Sequence, residues 1–294
     1  MVVRKKRDSS VAVWVMLAPY LVFLVMFAVV PIWMALKESV GPTMRNEAGG
    51  FKNYLLVLTD YRFLTSLKNT VLYVLVSAPI MTIVVLVLSL LLDSFRAKWH
   101  QYVRLAYLIP GCYVGAAGVL AWYIALEPII GPFRRVLNFF GIEKSTQVFQ
   151  PSSLVFIFAM MAVVSNAGAW IVVQFGGLQE ISEEVIEAAK IDGCGNFQLA
   201  TKIKLPLIKK NVVYMVVLVI TASVQLFAEP FIVNQQIGFS GNWSLMQLSY
   251  SIAFVEGDIA SASAISFMLL AVSLSAALIF IFKSKFFEGE GVEK

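Results

Sequence analysis

Between Gly176 and Lys210 the chain reads GGLQEISEEVIEAAKIDGCGNFQLATKIKLPLIKK. Its charged and small residues are spaced for being gripped rather than for breaking bonds. Ser182 precedes Glu183 and Glu184, and a hydroxyl N-cap followed by acids in the first turn favours a helix that starts there. Ile181, Val185, Ile186, Ala188 and Ala189 form a small apolar face on a helix running to Ile191. Gly193 and Gly195 stop it. A second amphipathic stretch carries Phe197, Leu199, Ile203 and Leu205, and Pro206 is expected to end it. A short helix with small residues on its face fits a groove on another protein. A membrane-surface helix that binds nothing has the same periodicity.

Covalent chemistry needs a clustered nucleophile, base or metal set. The chain has one histidine, His100, and two cysteines, Cys112 and Cys194. One cysteine lies in an apolar run and the other in a basic loop, so both read as unpaired thiols. Neither CxxC nor HExxH occurs, so no metal site and no cofactor is expected. The phosphate-loop pattern GxxxxGK[ST] is also missing, so any nucleotide hydrolysis belongs to another chain and this one is not expected to be an enzyme. Polar groups within apolar runs are a different matter. Ser165, Asn166, Gln174, Thr221, Ser223, Gln225 and Glu229 are of this kind, beside the aromatic Trp122, Tyr123 and Trp170. Lipid penalises such groups, so they face protein or a cavity. Should the chain conduct a solute, Asn166, Trp170, Gln225, Glu229 and Tyr123 are the substrate-path candidates, since a hydroxyl-rich solute would suit Asn, Gln and an aromatic face. The polar residues would equally serve helix–helix hydrogen bonds, and the aromatics interface anchoring.

The elements that must position these residues follow from composition. Of 294 residues, 59% are hydrophobic and 14% charged, and the mean hydropathy is +0.81. A soluble domain is about half apolar and a quarter charged. The excess excludes a soluble globule, and disorder needs the opposite bias. Crossing a bilayer core takes about 20 apolar residues of helix. Six uncharged runs qualify: Val11–Leu36, Val71–Leu92, Leu105–Leu126, Ser152–Leu178, Asn211–Ala228 (the shortest) and Ile259–Phe282. They do not alternate as barrel strands do. The expected fold is therefore all-α, a multi-pass membrane protein with six transmembrane helices. The first run is too long and too interrupted by proline to read as a cleavable signal. Pro19, Pro31, Pro79 and Pro110 fall within runs, where bends are expected.

The net charge is +5 and the isoelectric point about 9.1. Basic residues collect on the cytoplasmic side of membranes. With the N-terminus inside, fifteen of the 23 Lys and Arg fall on inner segments and eight on outer ones. The inner set includes Arg4 to Arg7, Arg96, Lys98, Arg104, Lys190, Lys202, Lys204, Lys209, Lys210, Lys283, Lys285 and Lys294. Both termini are thus expected in the cytoplasm. The organisation is a basic cytoplasmic segment 1–10, a membrane domain 11–282 with an inner loop 176–210, and a cytoplasmic tail 283–294. These charges are spread among short loops with no aromatic platform, which gives nucleic acid no place.

The string EAAKIDGCGNFQLATKIKLP resembles the cytoplasmic loop signature of binding-protein-dependent ABC importer permeases, Glu-Ala-Ala, three residues, Gly, nine residues, Ile, one residue, Leu-Pro. The matching positions are Glu187, Ala188, Ala189, Gly193, Ile203, Leu205 and Pro206, and Asp192 and Phe197 also suit the family. Gly176 to Gln179, Ile181 to Glu184, Asn69-Thr70, Pro110, Glu229-Pro230-Phe231, Ala253-Phe254 with Gly257, and Ala260-Ser261-Ala262 resemble its carbohydrate-uptake branch, of the maltose- and glycerol-phosphate-type first permease subunit. That branch often carries a Thr-Gly-Gly-Gly-Pro-like turn after the fifth span, where this chain has Val233 to Gly238.

The resemblance implies a type I ABC importer permease fold in the cell membrane of a prokaryote. It implies a second permease subunit, a paralogue, two cytoplasmic ATPase subunits and an extracellular solute-binding protein. Glu187 would touch the ATPase, Ala188 and Ala189 would keep the helix thin, and Gly193 would turn the chain away. The solute would be a sugar or oligosaccharide. A polyamine would favour several buried acids and a glycerol-phosphate ester an intramembrane Arg, and the runs offer neither. An ion-coupled carrier would bury a carboxylate near mid-bilayer, and Glu229 is expected at the outer edge of the fifth run.

Overall fold

The computed structural model describes residues 6–43, 46–94, 97–113, 115–239 and 241–283. Arg4, Lys5, Arg96, Lys285 and Lys294 lie outside them, as do most of the tail 283–294 and the first half of segment 1–10. The described residues are almost entirely helical, with one isolated antiparallel bridge, Thr43 to Asn46.

In chain order the helices are α1 (Lys6–Leu24), α2 (Val30–Ser39), α3 (Lys52–Leu58), α4 (Tyr61–Ser94), α5 (Ala97–Leu108), α6 (Ala116–Ala125), α7 (Arg134–Phe139), α8 (Ser145–Val148), α9 (Pro151–Gln179), α10 (Glu183–Ile191), α11 (Asn196–Gln198), α12 (Leu205–Leu207), α13 (Lys209–Val224), α14 (Ala228–Ile237), α15 (Leu245–Tyr250) and α16 (Ile259–Lys283). Among the described residues, five helical stretches are long and apolar enough to cross a membrane: Val13–Ser39, Tyr61–Ser94, Pro151–Gln179, Lys209–Ile237 and Ile259–Ile279. A pair bent by 95°, His100–Cys112 with Ala116–Ala125, is apolar enough when taken together and is either a broken sixth span or a re-entrant loop. All six expected runs thus have a helical counterpart.

The prolines act unequally. Pro79 sits inside the unbroken α4. Pro31 follows a π-helical turn, Val25–Val29, and Pro206 follows another, Leu199–Lys204. A proline ring has no N–H and collides with the carbonyl four residues back, so a widened turn before it relieves the crowding. Pro206 therefore does not end the loop's second arm as its sequence suggests. Helix continues through Leu207, and the break comes at Ile208. The third run is not one helix either. Pro110 opens a 3-10 turn, Ile109–Cys112, Gly115 takes φ +75°, and the chain bends by 95° before α6.

The fifth run corrects the expectation most. Helix stops at Val224, the chain passes through Gln225 to Phe227, and α14 carries on to Ile237. Val233 to Ile237 therefore belong to the spanning stretch rather than to an outer turn. Gly238 caps them in the left-handed region, φ +67°, which glycine enters without steric cost.

The chain folds as two compact units. The smaller comprises residues 1–60 and 249–268. There Asn53, fully buried, donates to the carbonyls of Ser39 (3.0 Å) and Gly41 (2.7 Å) and accepts from Asn46 (2.8 Å). This amide holds the end of α2 against α3. The larger unit comprises 61–248 and 269–294. Its backbone is α4 packed along α9, with α13 against α4 and α5 against α9. At one end Phe158, Leu154, Val233 and Trp243 form a core, with Phe158 edge-on to Trp243 at 5.0 Å. At the other, Val85, Leu92, Ile171 and Met215 form a second. Asn69 and Thr70 act structurally. Asn69 donates to the Trp243 carbonyl (3.1 Å) and Thr70 accepts from Leu245 N–H (3.2 Å), which pins the chain entering α15.

Candidate functional site

The loop of the larger unit forms the short helix read from sequence. Ser182 occupies the N-cap position with extended backbone, but its hydroxyl makes no capping bond, and Glu183 and Glu184 fill the first turn alone. The helix closes after Asp192. Gly193 N–H donates to Lys190 O and Cys194 N–H to Ala189 O, both at 3.0 Å, with Gly193 at φ +83°. That paired pattern needs a left-handed residue, which is why glycine stands there.

Glu187, Ala188, Asp192, Gly193 and Pro206 are exposed, and Ile203 and Leu205 half-buried. Ala189 is buried. It packs inside its own chain, so of the two alanines Ala188 alone is available to thin an outer face. Ile191 and Phe197 stand 86% and 80% exposed on either side of the glycine turn. Two large apolar side chains exposed on a polar loop form a candidate contact surface, for a protein groove or for the membrane face.

The loop is tied to the helices at its base. Asp93, one residue before the end of α4, accepts from Gln179 Nε2 (2.7 Å) through Oδ1 and pairs with Lys204 Nζ through Oδ2. Gln179 closes α9 and Lys204 lies on the loop's second arm. Nearby, Gln174 donates to the Asn211 carbonyl at 3.1 Å. A Cβ on Gly177 would lie 2.3 Å from Asn211 Nδ2, so the two ends of the loop approach closely through this glycine.

A cavity of about 400 Å³ opens among α4, α9, α13 and the start of α14, with Tyr73, Asn166, Trp170, Gln225, Phe227 and Glu229 on its wall. Four of the five substrate-path candidates thus meet. A smaller cavity of about 50 Å³ shares Asn166 and Glu229 and adds Trp122 and Ser165. Tyr123 does not join them. It stacks on Phe149 at 5.4 Å, beside the Phe158 core. Glu229 is not at the edge of its span either, because α14 extends eight residues beyond it. Of the other polar residues, Thr221 bonds back to Val217 O (2.8 Å), and Ser223 meets Ser77 across the α4–α13 contact at 3.2 Å.

Sequence reasoning missed Tyr73 and Asp93. Nothing local distinguishes Tyr73 from a buried aromatic. Asp93 did carry a signal, as the lone acid closing a 22-residue apolar run.

Helices of spanning length around a cavity that carries amide, carboxyl and aromatic side chains, joined by an exposed polar loop, are the features of a membrane transport subunit. The chain belongs to the family described as binding-protein-dependent transport system inner membrane component, whose pattern matches residues 61–286. It is 26% identical over 292 residues to a probable ABC transporter permease protein, YurN, of Bacillus subtilis, covering 96% of this chain and 97% of the relative. It is 25% identical over 286 residues to the trehalose/maltose transport system permease protein MalF of Thermococcus litoralis, covering 96% of each. Among solved structures, a chain of a bacterial alginate ABC transporter superposes with TM-score 0.79 at 18% identity, covering 98% of this chain and 99% of that one. The fold is that of an ABC importer permease.

Proposed function

We propose that this chain is one of two membrane-spanning subunits of an ATP-driven importer for a sugar or oligosaccharide delivered by an external binding protein. The cavity is the observation that carries the reading. Asn and Gln amides and the Trp170 and Tyr73 rings line it, and among the described residues on its wall Glu229 is the one charge. Hydroxyl groups hydrogen-bond to amides, and sugar faces stack on aromatic rings. A phosphate ester would need a cation that this wall lacks. Relatives named for trehalose/maltose, arabinooligosaccharide and sulfoquinovosyl glycerol transport support the sugar assignment.

In this reading both termini and the loop 176–210 face the cytoplasm. The exposed Glu187, Ala188, Asp192 and Gly193, with Ile191 and Phe197 beside them, enter a cleft on an ATPase subunit. A paralogous permease completes the path. ATP binding on the partners moves the loops, and the spans shift between two populated arrangements, opening the path to alternate sides. The chain supplies no hydrolysis of its own.

The test is uptake in proteoliposomes holding this chain, its partner permease, the ATPases and the binding protein. Labelled sugar should enter with ATP and be unaffected by ionophores. Uptake that persists without ATP and stops with ionophore overturns the reading.

A further inference from the structure

Asp93 binds two donors that belong to different parts of the larger unit. Gln179 ends α9, and Lys204 rides on the loop arm 111 residues away in sequence. The loop is covalently continuous with α9 and α13 but not with α4. The Lys204 and Asp93 side chains are 14% and 8% exposed. A pair so sheltered escapes most of the salt screening that makes surface pairs worth little. Charge-assisted bonds are also roughly twice as strong as neutral ones.

We propose that Asp93 is a positioning residue that passes displacement of the loop to α4 and α9 together, and so to the cavity. The idea rests on the importer reading above. Both helices reach the cavity wall, α4 with Tyr73 and Met81 and α9 with Asn166 and Trp170. They pack along each other, and packed helices move as bodies rather than deforming. When a partner pulls the loop, Lys204 pulls the Asp93 carboxylate. Gln179 on the same carboxylate keeps the end of α9 in step. Without the link, the loop can move while α4 stays behind.

The experiment uses the whole transporter in proteoliposomes and compares the parent with Asp93→Asn, Lys204→Gln and the double variant. Asn keeps an oxygen for Gln179 but loses the ion pair. The readouts are co-purification of the ATPases, ATP turnover with loaded binding protein, and sugar taken up per ATP. We expect normal co-purification and substantial turnover, with uptake per ATP reduced about tenfold, inside the usual range for coupling between sites. The double variant should match each single one, since both remove one link. Asp93→Glu should restore part of the coupling. Parental uptake per ATP in Asp93→Asn overturns the proposal. So does loss of the ATPases from that variant, because the pair then shapes the docking surface instead. If the parent shows no ATP-driven uptake, the importer reading itself fails.

Discussion

Asn166 and Glu229 share two spaces: both line the cavity of about 400 Å³ and both line the cavity of about 50 Å³ beside it. They come from different spans, α9 and α14, and the 95° bend before α6 brings Gly115 and Trp122 to the smaller space. Asn166 Nδ2 donates to Ala162 O at 2.9 Å, which leaves the amide oxygen and a second N–H for a guest.

Asn166→Ala should reduce sugar uptake about tenfold, the equivalent of one lost hydrogen bond of about 1.5 kcal/mol. ATPase co-purification should be unchanged. Glu229→Gln should act in the same direction. Uptake at parental rates in both variants removes the cavity from the path.

Tyr123→Phe should leave uptake unchanged, because Tyr123 stacks on Phe149 outside the main cavity. Tyr123→Ala should instead lower thermal stability in detergent by about 3 kcal/mol, the cost of deleting a packed ring. A Phe variant that folds normally but loses uptake would return Tyr123 to the path.

Gly168→Ala should impair folding. A Cβ at Gly168 would stand 1.9 Å from the Tyr107 carbonyl oxygen, and a backbone atom cannot step aside. The helices α5 and α9 must then separate, at about 3 kcal/mol or more. The check is the yield of monodisperse protein after solubilisation, and parental yield contradicts so close an approach.

Glu187→Lys and Gly193→Asp should both insert into the membrane yet lose ATP-driven uptake. Glu187 is exposed on α10, so its replacement costs the fold little, while the φ of +83° at Gly193 strains any side chain there by about 1 kcal/mol. Pull-down of the ATPases by the parent, and weakly by the variants, is the expected result. Normal uptake in both excludes a coupling role.

Much of this protein is written locally. Six runs of apolar residues call for helices, because hydrocarbon leaves unpaired backbone groups no partner, and five of them form helical stretches of spanning length while the third is bent. The loop helix, its start after Ser182 and its stop at Gly193 follow from the acids of the first turn and from glycine chemistry within a dozen residues. The assembly of the cavity was not legible in this way. The break at Gln225 to Phe227 has a local cause in Pro230, which has no N–H for the Leu226 carbonyl and crowds it, but no local rule says which side chains the break turns toward a common space. That break moves Glu229 from the apparent margin of a span to a cavity wall, while Tyr123, an aromatic like Trp170, packs on Phe149 beside a core instead of lining the cavity. Ala188 and Ala189 are adjacent and identical, yet one is exposed and one buried. The meeting of Asp93 with Lys204 spans 111 residues, a separation over which no periodicity carries information. Local composition decides which segments are helices. Which side chains share a space depends on how those helices cross, and that is settled by the close packing of the whole unit.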